Sequence, residues 1–187
     1  TIWSRTRGNM NVRAAAGLNC LPIFLLTRNP AVQKLADFTE KDRIAVPAVK
    51  VSNQAIWLQM AAAQLFGEAN YQRFDPLTVS MAHPDATAAM LGPMTEVTAN
   101  FSSPPFQYRQ LKDPRVRKLT TAADILGGRS SFNVVATTGK FRDSNPKLYR
   151  AYLAALEEAT GMVNRDKRGA VEIFLRATND RTPIDDI

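Results

Sequence analysis

The sequence has few of the residues from which catalytic and metal centres are usually built. Its 187 residues include one cysteine, Cys20, and one histidine, His83. A single cysteine excludes an internal disulfide, and one cysteine with one histidine cannot supply the four ligands of a structural zinc site. We therefore predict that the protein binds no metal and that Cys20 is a buried structural thiol.

Glycine-rich phosphate loops and long apolar runs are also missing. Neither G-x-G-x-x-G nor G-x-x-x-x-G-K occurs, and the pair Gly127-Gly128 is not followed by lysine. The strongest apolar run, residues 21–26, contains a proline and is far shorter than the ~18 residues of a membrane span. The sequence thus predicts no nucleotide or other cofactor and no transmembrane helix.

The charge of the chain is positive but dispersed. The formal net charge is +7, and lysine and arginine occur throughout, with small clusters only at residues 115–118 and 165–168. Neither cluster is interleaved with the aromatic side chains on which bases stack. We therefore predict a solvated basic surface and no nucleic-acid partner.

Strand and helix signals alternate in the middle of the chain. Strands are predicted at residues 43–47, 77–81 and 96–100, with helices at 54–66 and 83–91 between them. This β-α-β-α-β order predicts a parallel sheet in an α/β protein.

The two ends of the chain have different patterns. Strands are predicted at residues 12–16, 23–27, 117–121 and 132–138. From Ser144 onward the pattern is helical, and the first long helix carries an apolar stripe that we predict to be buried. This stripe comprises Leu148, Tyr152, Leu156 and Ala159.

Small polar residues follow each strand of the predicted parallel sheet. Because ligands of open α/β sheets bind at the carboxyl ends of strands, these residues are the candidate ligand-binding site. They are Ser52, Asn53 and Gln54 after the first strand, His83 after the second, and Thr98, Asn100 and Ser102 at or after the third. For Ser52 and Asn100 a plain helix-capping role is an equal alternative. For His83 a capping or ligand-facing role is favoured over a catalytic one, since it follows a predicted strand and begins a predicted helix.

Several segments resemble one family of transport proteins. They are Val12-Arg-Ala-Ala-Ala16, Leu25-Leu-Thr-Arg28, residues 35–47 followed by Ser52, Ala86-Thr-Ala-Ala-Met-Leu-Gly92, and Phe141-Arg-Asp-Ser-Asn-Pro146 with the alanine-rich stretch 151–159. In order and spacing they resemble the substrate-binding proteins of ABC importers for nitrate, sulfonate and taurine. That group shares a superfamily with yeast-type thiamine-pyrimidine synthases. The likeness extends from about residue 11 to residue 178.

The resemblance implies the two-lobed periplasmic-binding-protein type II fold. On that basis residues 1–38 belong to lobe one, 39–128 form lobe two, and 129–187 cross back and pack on lobe one. Family members are longer, so lobe one is expected to be incomplete at its amino end. Residues 1–9 lack an initiator methionine and a secretion signal, which is expected of a fragment or of a chain whose signal was removed. Residues 49–51 stand where the family keeps a glycine, so a different ligand approach is expected.

The function implied is that of a periplasmic solute-binding protein without enzymatic activity. Its ligand would be a small anionic or zwitterionic solute, such as a sulfonate, nitrate or taurine, held between the lobes. Its partner would be an ABC permease in the inner membrane, and the protein would be a monomer. Two alternatives remain, the ligand-sensing domain of a LysR-type transcription regulator and a thiamine-pyrimidine-synthase-like enzyme. The enzyme is disfavoured because the cysteine-rich iron site expected of it is missing.

Overall fold

The computed structural model describes residues 11–93 and 95–186. Within them the strands are β1 (Val12–Asn19), β2 (Phe24–Thr27), β3 (Ile44–Val46), β4 (Thr78–Ser80), β5 (Ala99–Ser102), β6 (Arg117–Thr121) and β7 (Asn133–Thr138). The helices are α1 (Asn53–Phe66), α2 (His83–Leu91), α3 (Phe106–Leu111), α4 (Ala122–Leu126), α5 (Gly139–Ser144), α6 (Pro146–Arg165) and α7 (Lys167–Thr178). Short 3₁₀ turns occur at Leu35–Asp37, Glu68–Asn70, Asp75–Leu77 and Ile184–Asp186.

The chain divides into two compact units. The central unit comprises Leu21–Ser130, and the terminal unit combines the residues before and after it. The sequence predicted divisions near residues 38 and 128, whereas the units divide near residues 20 and 130. The first division lies earlier because β2 pairs with β5 and β6 and so belongs to the central sheet. The assignment of the units to lobes one and two stays a prediction.

The central unit is built on a five-stranded sheet in the order β4-β3-β5-β2-β6. Strand β3 pairs in parallel with β4 and with β5, which confirms the predicted β-α-β-α-β arrangement. The sheet also includes β2, which the sequence assigned to the other part of the chain and which is antiparallel to both of its neighbours. Since β2 runs the opposite way, the loop that follows it reaches the start of β3 at the same edge, without a crossover helix.

Helices cover both faces of this sheet. On one face, Leu26 and Ala45 pack with Ala86 and Met90 of α2 in a buried cluster. On the other face, the ring of Trp57 in α1 lies 5.7 Å from that of Phe101. Helix α1 occupies nearly the predicted residues because each end has a clear signal: Ser52 caps its start, and Gly67 ends it at a φ of +87°.

The terminal unit consists of a two-stranded antiparallel sheet, β1 with β7, and helices α5 to α7. The predicted buried stripe of α6 is wrong, since Leu148 is 58% exposed and Tyr152 is 50% exposed. Leu156 is half-buried and Ala159 is exposed. Among the described residues, α6 packs mainly on its neighbours α5 and α7. These short elements leave much of the apolar side of α6 uncovered. Part of that side lines a cavity of about 350 Å³ beside β7.

Cys20 is exposed rather than buried. It follows directly after β1, at the point where the chain passes from the terminal unit to the central unit. The prediction of a buried thiol is therefore wrong, because a connecting segment has no layer packed over it.

Candidate functional site

Three loops meet at the edge of the central sheet where β3, β4 and β5 end. They are residues 47–52, 81–82 and 103–105, which lead into the amino-terminal ends of α1, α2 and α3; we call this the carboxyl edge. Two hydrogen bonds hold the first two loops together. The Met81 N–H donates to the Val46 carbonyl at 2.9 Å, and the Val49 N–H donates to Ser80 Oγ at 3.0 Å.

Ser52 is occupied as the cap of α1. Its hydroxyl donates to the Ala48 carbonyl at 2.7 Å and accepts from the Ala55 N–H at 3.3 Å. A hydroxyl has one hydrogen, so Ser52 has none left for a ligand in this arrangement. The capping role that the sequence left open is the one that Ser52 has here.

Replacing the cap should have a measurable cost. We expect Ser52→Ala to lower the free energy of unfolding by about 1 kcal/mol, because the first turn of α1 loses an acceptor for one of its free N–H groups. Ser52→Thr keeps the hydroxyl and serves as the control, with a loss of a few tenths of a kcal/mol. Urea unfolding measures both, and equal losses in the two variants would contradict the cap assignment.

Asn53 and Gln54 follow in the first turn of α1, and their side chains differ in environment. Asn53 is exposed, whereas Gln54 is only 4% exposed on the inner side of the helix. The first N–H groups of a helix have no acceptor within it, and the helix dipole adds partial positive charge there. At the carboxyl edge, Asn53 and Gln54 therefore both offer their backbone N–H groups as hydrogen-bond donors.

His83 is the first residue of α2, and its imidazole stacks on the ring of Phe106 at the start of α3. The ring centroids are 5.7 Å apart and the planes are 19° from parallel. Nδ1 is buried and has no hydrogen-bond partner among the described residues. Burial lowers the pKa of His83 below its ordinary value, so the imidazole is uncharged at neutral pH. It can exchange hydrogen bonds but supplies no positive charge.

Asn100 and Ser102 lie behind the carboxyl edge, inside the sheet. Both are in β5 and alternate onto the same face, and they are 1% and 0% exposed. Ser102 Oγ accepts from Gln110 Nε2 at 3.3 Å. Asn100 Nδ2 has no hydrogen-bond partner among residues 11–93 and 95–186.

Thr98 lies at the opposite edge of the sheet. Because β5 begins at Ala99 and not at residue 96, Thr98 precedes the strand instead of approaching its end. Its hydroxyl donates to Asp42 Oδ1 at 2.8 Å, and its carbonyl accepts from Thr27 Oγ1 and from the Arg28 N–H, each at 2.9 Å. The predicted placement of Thr98 with the other site residues is wrong.

Phe106, Thr87 and Gln110 contact His83 or are linked to it, and none of them was predicted from the sequence as a site residue. Gln107 and Gln110 are three residues apart in α3, so the spacing could have placed both on one side. Nothing in the local pattern indicates that this polar side faces the sheet rather than water.

Other kinds of site find no support in the part of the chain that the structure describes. It contains no group of three or more histidine, cysteine, aspartate or glutamate side chains arranged to hold a metal ion. Among the same residues, no helix combines the length and apolarity needed to span a bilayer.

Comparison with known proteins finds similarity in three-dimensional structure alone. No family model matches the sequence, and no curated protein matches it. The aliphatic sulphonate-binding protein SsuA from Escherichia coli superposes with a TM-score of 0.71 at 17% identity, over 99% of this chain and 56% of that one. The alkanesulfonate-binding protein SsuA from Xanthomonas axonopodis pv. citri, solved with MOPS bound, gives 0.64 at 14% identity, over 99% and 60%.

A third solved structure agrees. The ligand-binding component of an ABC-type import system from Staphylococcus aureus, solved with zinc bound, has a TM-score of 0.64 at 16% identity, over 98% of this chain and 60% of that one. The chain thus spans 56–60% of the length of these three proteins. Over that length it has the α/β fold of the periplasmic binding proteins.

Proposed function

We propose that the chain is part of a solute-binding protein of an ABC importer, and that it binds a small anionic or zwitterionic organic solute at the carboxyl edge without chemical conversion. The observation that carries the proposal is the convergence of the amino-terminal ends of α1 and α2 at one edge of a sheet, in a fold shared with binding proteins. Periplasmic location, a monomeric state and an inner-membrane permease as partner belong to the same proposal.

Helix starts are suited to an anion for a simple electrostatic reason. A helix start carries roughly half a positive charge, and its first N–H groups lack acceptors within the helix, so a sulfonate or carboxylate can gain hydrogen bonds there without a buried cation. At α1 we assign this role to the backbone donors of Asn53 and Gln54. Ser52 acts indirectly, since its cap holds the first turn in place.

His83 and Phe106 offer a different kind of contact. Their stacked rings are half-buried and form a mostly apolar pair, while the uncharged imidazole can exchange a hydrogen bond. An organic anion with an apolar body fits this combination better than a bare inorganic ion does. Two of the similar solved structures are described as sulfonate-binding, so we place sulfonates first and taurine, nitrate, carboxylates and pyrimidines after them.

Thermal unfolding with a panel of these compounds tests the proposal. Since the chain is shorter than the similar proteins, both the 187-residue chain and the product of its complete reading frame are measured. A ligand at a hundred times its Kd stabilises the folded state by about 2.7 kcal/mol, so we expect one compound class to raise the Tm by several degrees. Failure of every class to raise the Tm of either protein would contradict the proposal, as would catalytic turnover of a bound compound.

A pair of variants locates the binding site. His83→Ala should weaken binding about tenfold, which is the value of one hydrogen bond of about 1.4 kcal/mol. The control, Gln33→Ala, alters an exposed side chain in the loop between β2 and β3, at the edge opposite to the carboxyl edge. Calorimetric titration with the stabilising compound should give an unchanged Kd for this control. Equal affinity in the two variants would place the ligand elsewhere.

A further inference from the structure

A group of buried polar side chains lies between β5, α2 and α3, directly beneath His83. Its members are Thr87, Asn100, Ser102 and Gln110, which are 4%, 1%, 0% and 0% exposed. In an α/β sandwich this region is normally filled by apolar side chains. We call these four residues the polar cluster.

A chain of hydrogen bonds leads from the polar cluster to His83. Gln110 Nε2 donates to Thr87 Oγ1 at 2.8 Å, and Thr87 Oγ1 donates to the His83 carbonyl at 2.8 Å. Because the threonine hydrogen is used on that carbonyl, the group facing Thr87 has to be the amide nitrogen of Gln110. The same nitrogen reaches Ser102 Oγ at 3.3 Å, so Gln110 links the end of β5 to the first turn of α2.

The polar cluster is poorly explained as a stabilising device. Gln110 Oε1 and Asn100 Nδ2 are both buried without a hydrogen-bond partner in the described part of the chain. Each unpaired buried group costs on the order of 1–3 kcal/mol, so well-packed apolar side chains would stabilise this region more. Two of the hydrogen bonds that are made form a chain that ends at His83, the residue that begins α2.

We propose that Gln110 is a positioning residue for His83: held by Ser102, it fixes the first turn of α2 through Thr87 and thereby sets the imidazole against Phe106 at the carboxyl edge. This inference rests on the proposed function, in which His83 contacts the solute. The hydrogen-bond chain and the ring stack hold two different parts of His83. The backbone of His83 is held from α3 by Gln110, and its side chain is held from α3 by Phe106.

The test uses His83 as its own probe, because it is the only histidine in the sequence and gives a single set of imidazole NMR signals. Gln110→Met keeps the size of the side chain but cannot donate. We expect the loosened turn to expose the imidazole, so that the pKa of His83, which burial holds down, rises towards the ordinary value of a histidine.

A second glutamine on the same helix provides the matched control. Gln107 is also 0% exposed, but its amide accepts from the Phe24 N–H at 3.2 Å and donates to the Pro22 carbonyl at 2.6 Å, so it has no link to α2. Gln107→Met removes the hydrogen bonds of an equally buried glutamine on the same helix and should leave the titration of His83 unchanged.

Threonine variants keep the inference testable if Gln110→Met does not fold. Thr87→Val breaks the same chain and should raise the pKa of His83, whereas Thr87→Ser preserves the hydroxyl and should not. Equal titration shifts in the two glutamine variants, or an unshifted titration in Thr87→Val, would overturn the inference. Because all titrations are done without ligand, the outcome is independent of whether the proposed solute binds.

Discussion

Asp42→Asn should destabilise the central unit by about 3 kcal/mol. Asp42 is 1% exposed, and its carboxylate accepts four hydrogen bonds. Oδ1 accepts from Asn29 Nδ2 and Thr98 Oγ1, both at 2.8 Å, and Oδ2 accepts from the backbone and the hydroxyl of Thr39 at 2.9 and 3.3 Å. An asparagine has one acceptor oxygen, so it leaves two of the four donors without a partner, each at a cost of roughly 1–3 kcal/mol.

The same substitution should reduce the acid sensitivity of the protein. Burial by itself raises the pKa of Asp42, but the hydrogen bonds from Thr39, Asn29 and Thr98 outweigh it and hold the pKa below its ordinary value. A carboxyl group with a depressed folded-state pKa stabilises the protein above the unfolded-state pKa of about 4, and this stability is lost as the pH falls through the folded-state value. The difference between wild type and Asp42→Asn should therefore shrink below about pH 4.

The measurement is urea unfolding at several pH values, followed by Trp57 fluorescence in a Trp3→Phe background. Asp37→Asn is the control, because Asp37 accepts two backbone hydrogen bonds at 2.9 Å in the same loop but is only half-buried. Its loss should stay below about 1 kcal/mol. Similar losses in the two variants would contradict the account of Asp42. So would a difference in the free energy of unfolding between wild type and Asp42→Asn that stays constant down to pH 3.

Leu26→Ala should destabilise the central unit by about 3 kcal/mol. Leu26 is 0% exposed in β2 and belongs to the cluster that packs the sheet against α2. Removing its branched end deletes buried apolar contacts and leaves a cavity, for which losses of about 2–5 kcal/mol are usual. Unfolding in urea, again followed through Trp57, gives the value.

Leu148→Ala is the informative comparison for Leu26→Ala, since the same side chain is removed from a position that is 58% exposed. We expect a loss within about 0.5 kcal/mol, measured by circular dichroism during urea unfolding because α6 lies in the terminal unit. A loss as large as that of Leu26→Ala would show that the apolar side of α6 is covered in solution.

Elements with signals at both ends, or with clear alternation, were predictable from the sequence. Helix α1 has a serine cap and a glycine stop, and strands β3 and β4 lie within their predicted ranges. The start of β5 was misplaced by three residues because Glu96 to Asn100 alternates as regularly as a strand does. In the structure, Thr98 instead bonds to Asp42, which is distant in sequence, and no local pattern reports such a contact.

The position of the candidate site was predictable from the sequence, but the residues that contact His83 there were not. Ser52 and His83 could be located because each begins a helix after a strand, and that order of elements is visible in the chain. Phe106 and Gln110 could not be related to His83, because the contact depends on how α3 packs beside α2. Packing between helices separated by a strand is set by the whole sheet.

The sequence by itself determined the class of fold, the lack of a zinc or nucleotide motif, and the three loops from which a binding edge could form. These follow from composition, periodicity and capping residues, which act over a few positions along the chain. Tertiary structure alone decided that β2 is antiparallel to its neighbours and that Thr98 donates a hydrogen bond to Asp42 at the edge opposite to the carboxyl edge. It also decided that Gln110 is linked to His83 through Thr87. Each of these depends on residues at least 23 positions apart, whose pairing is chosen by burial and by the need of buried polar groups for partners.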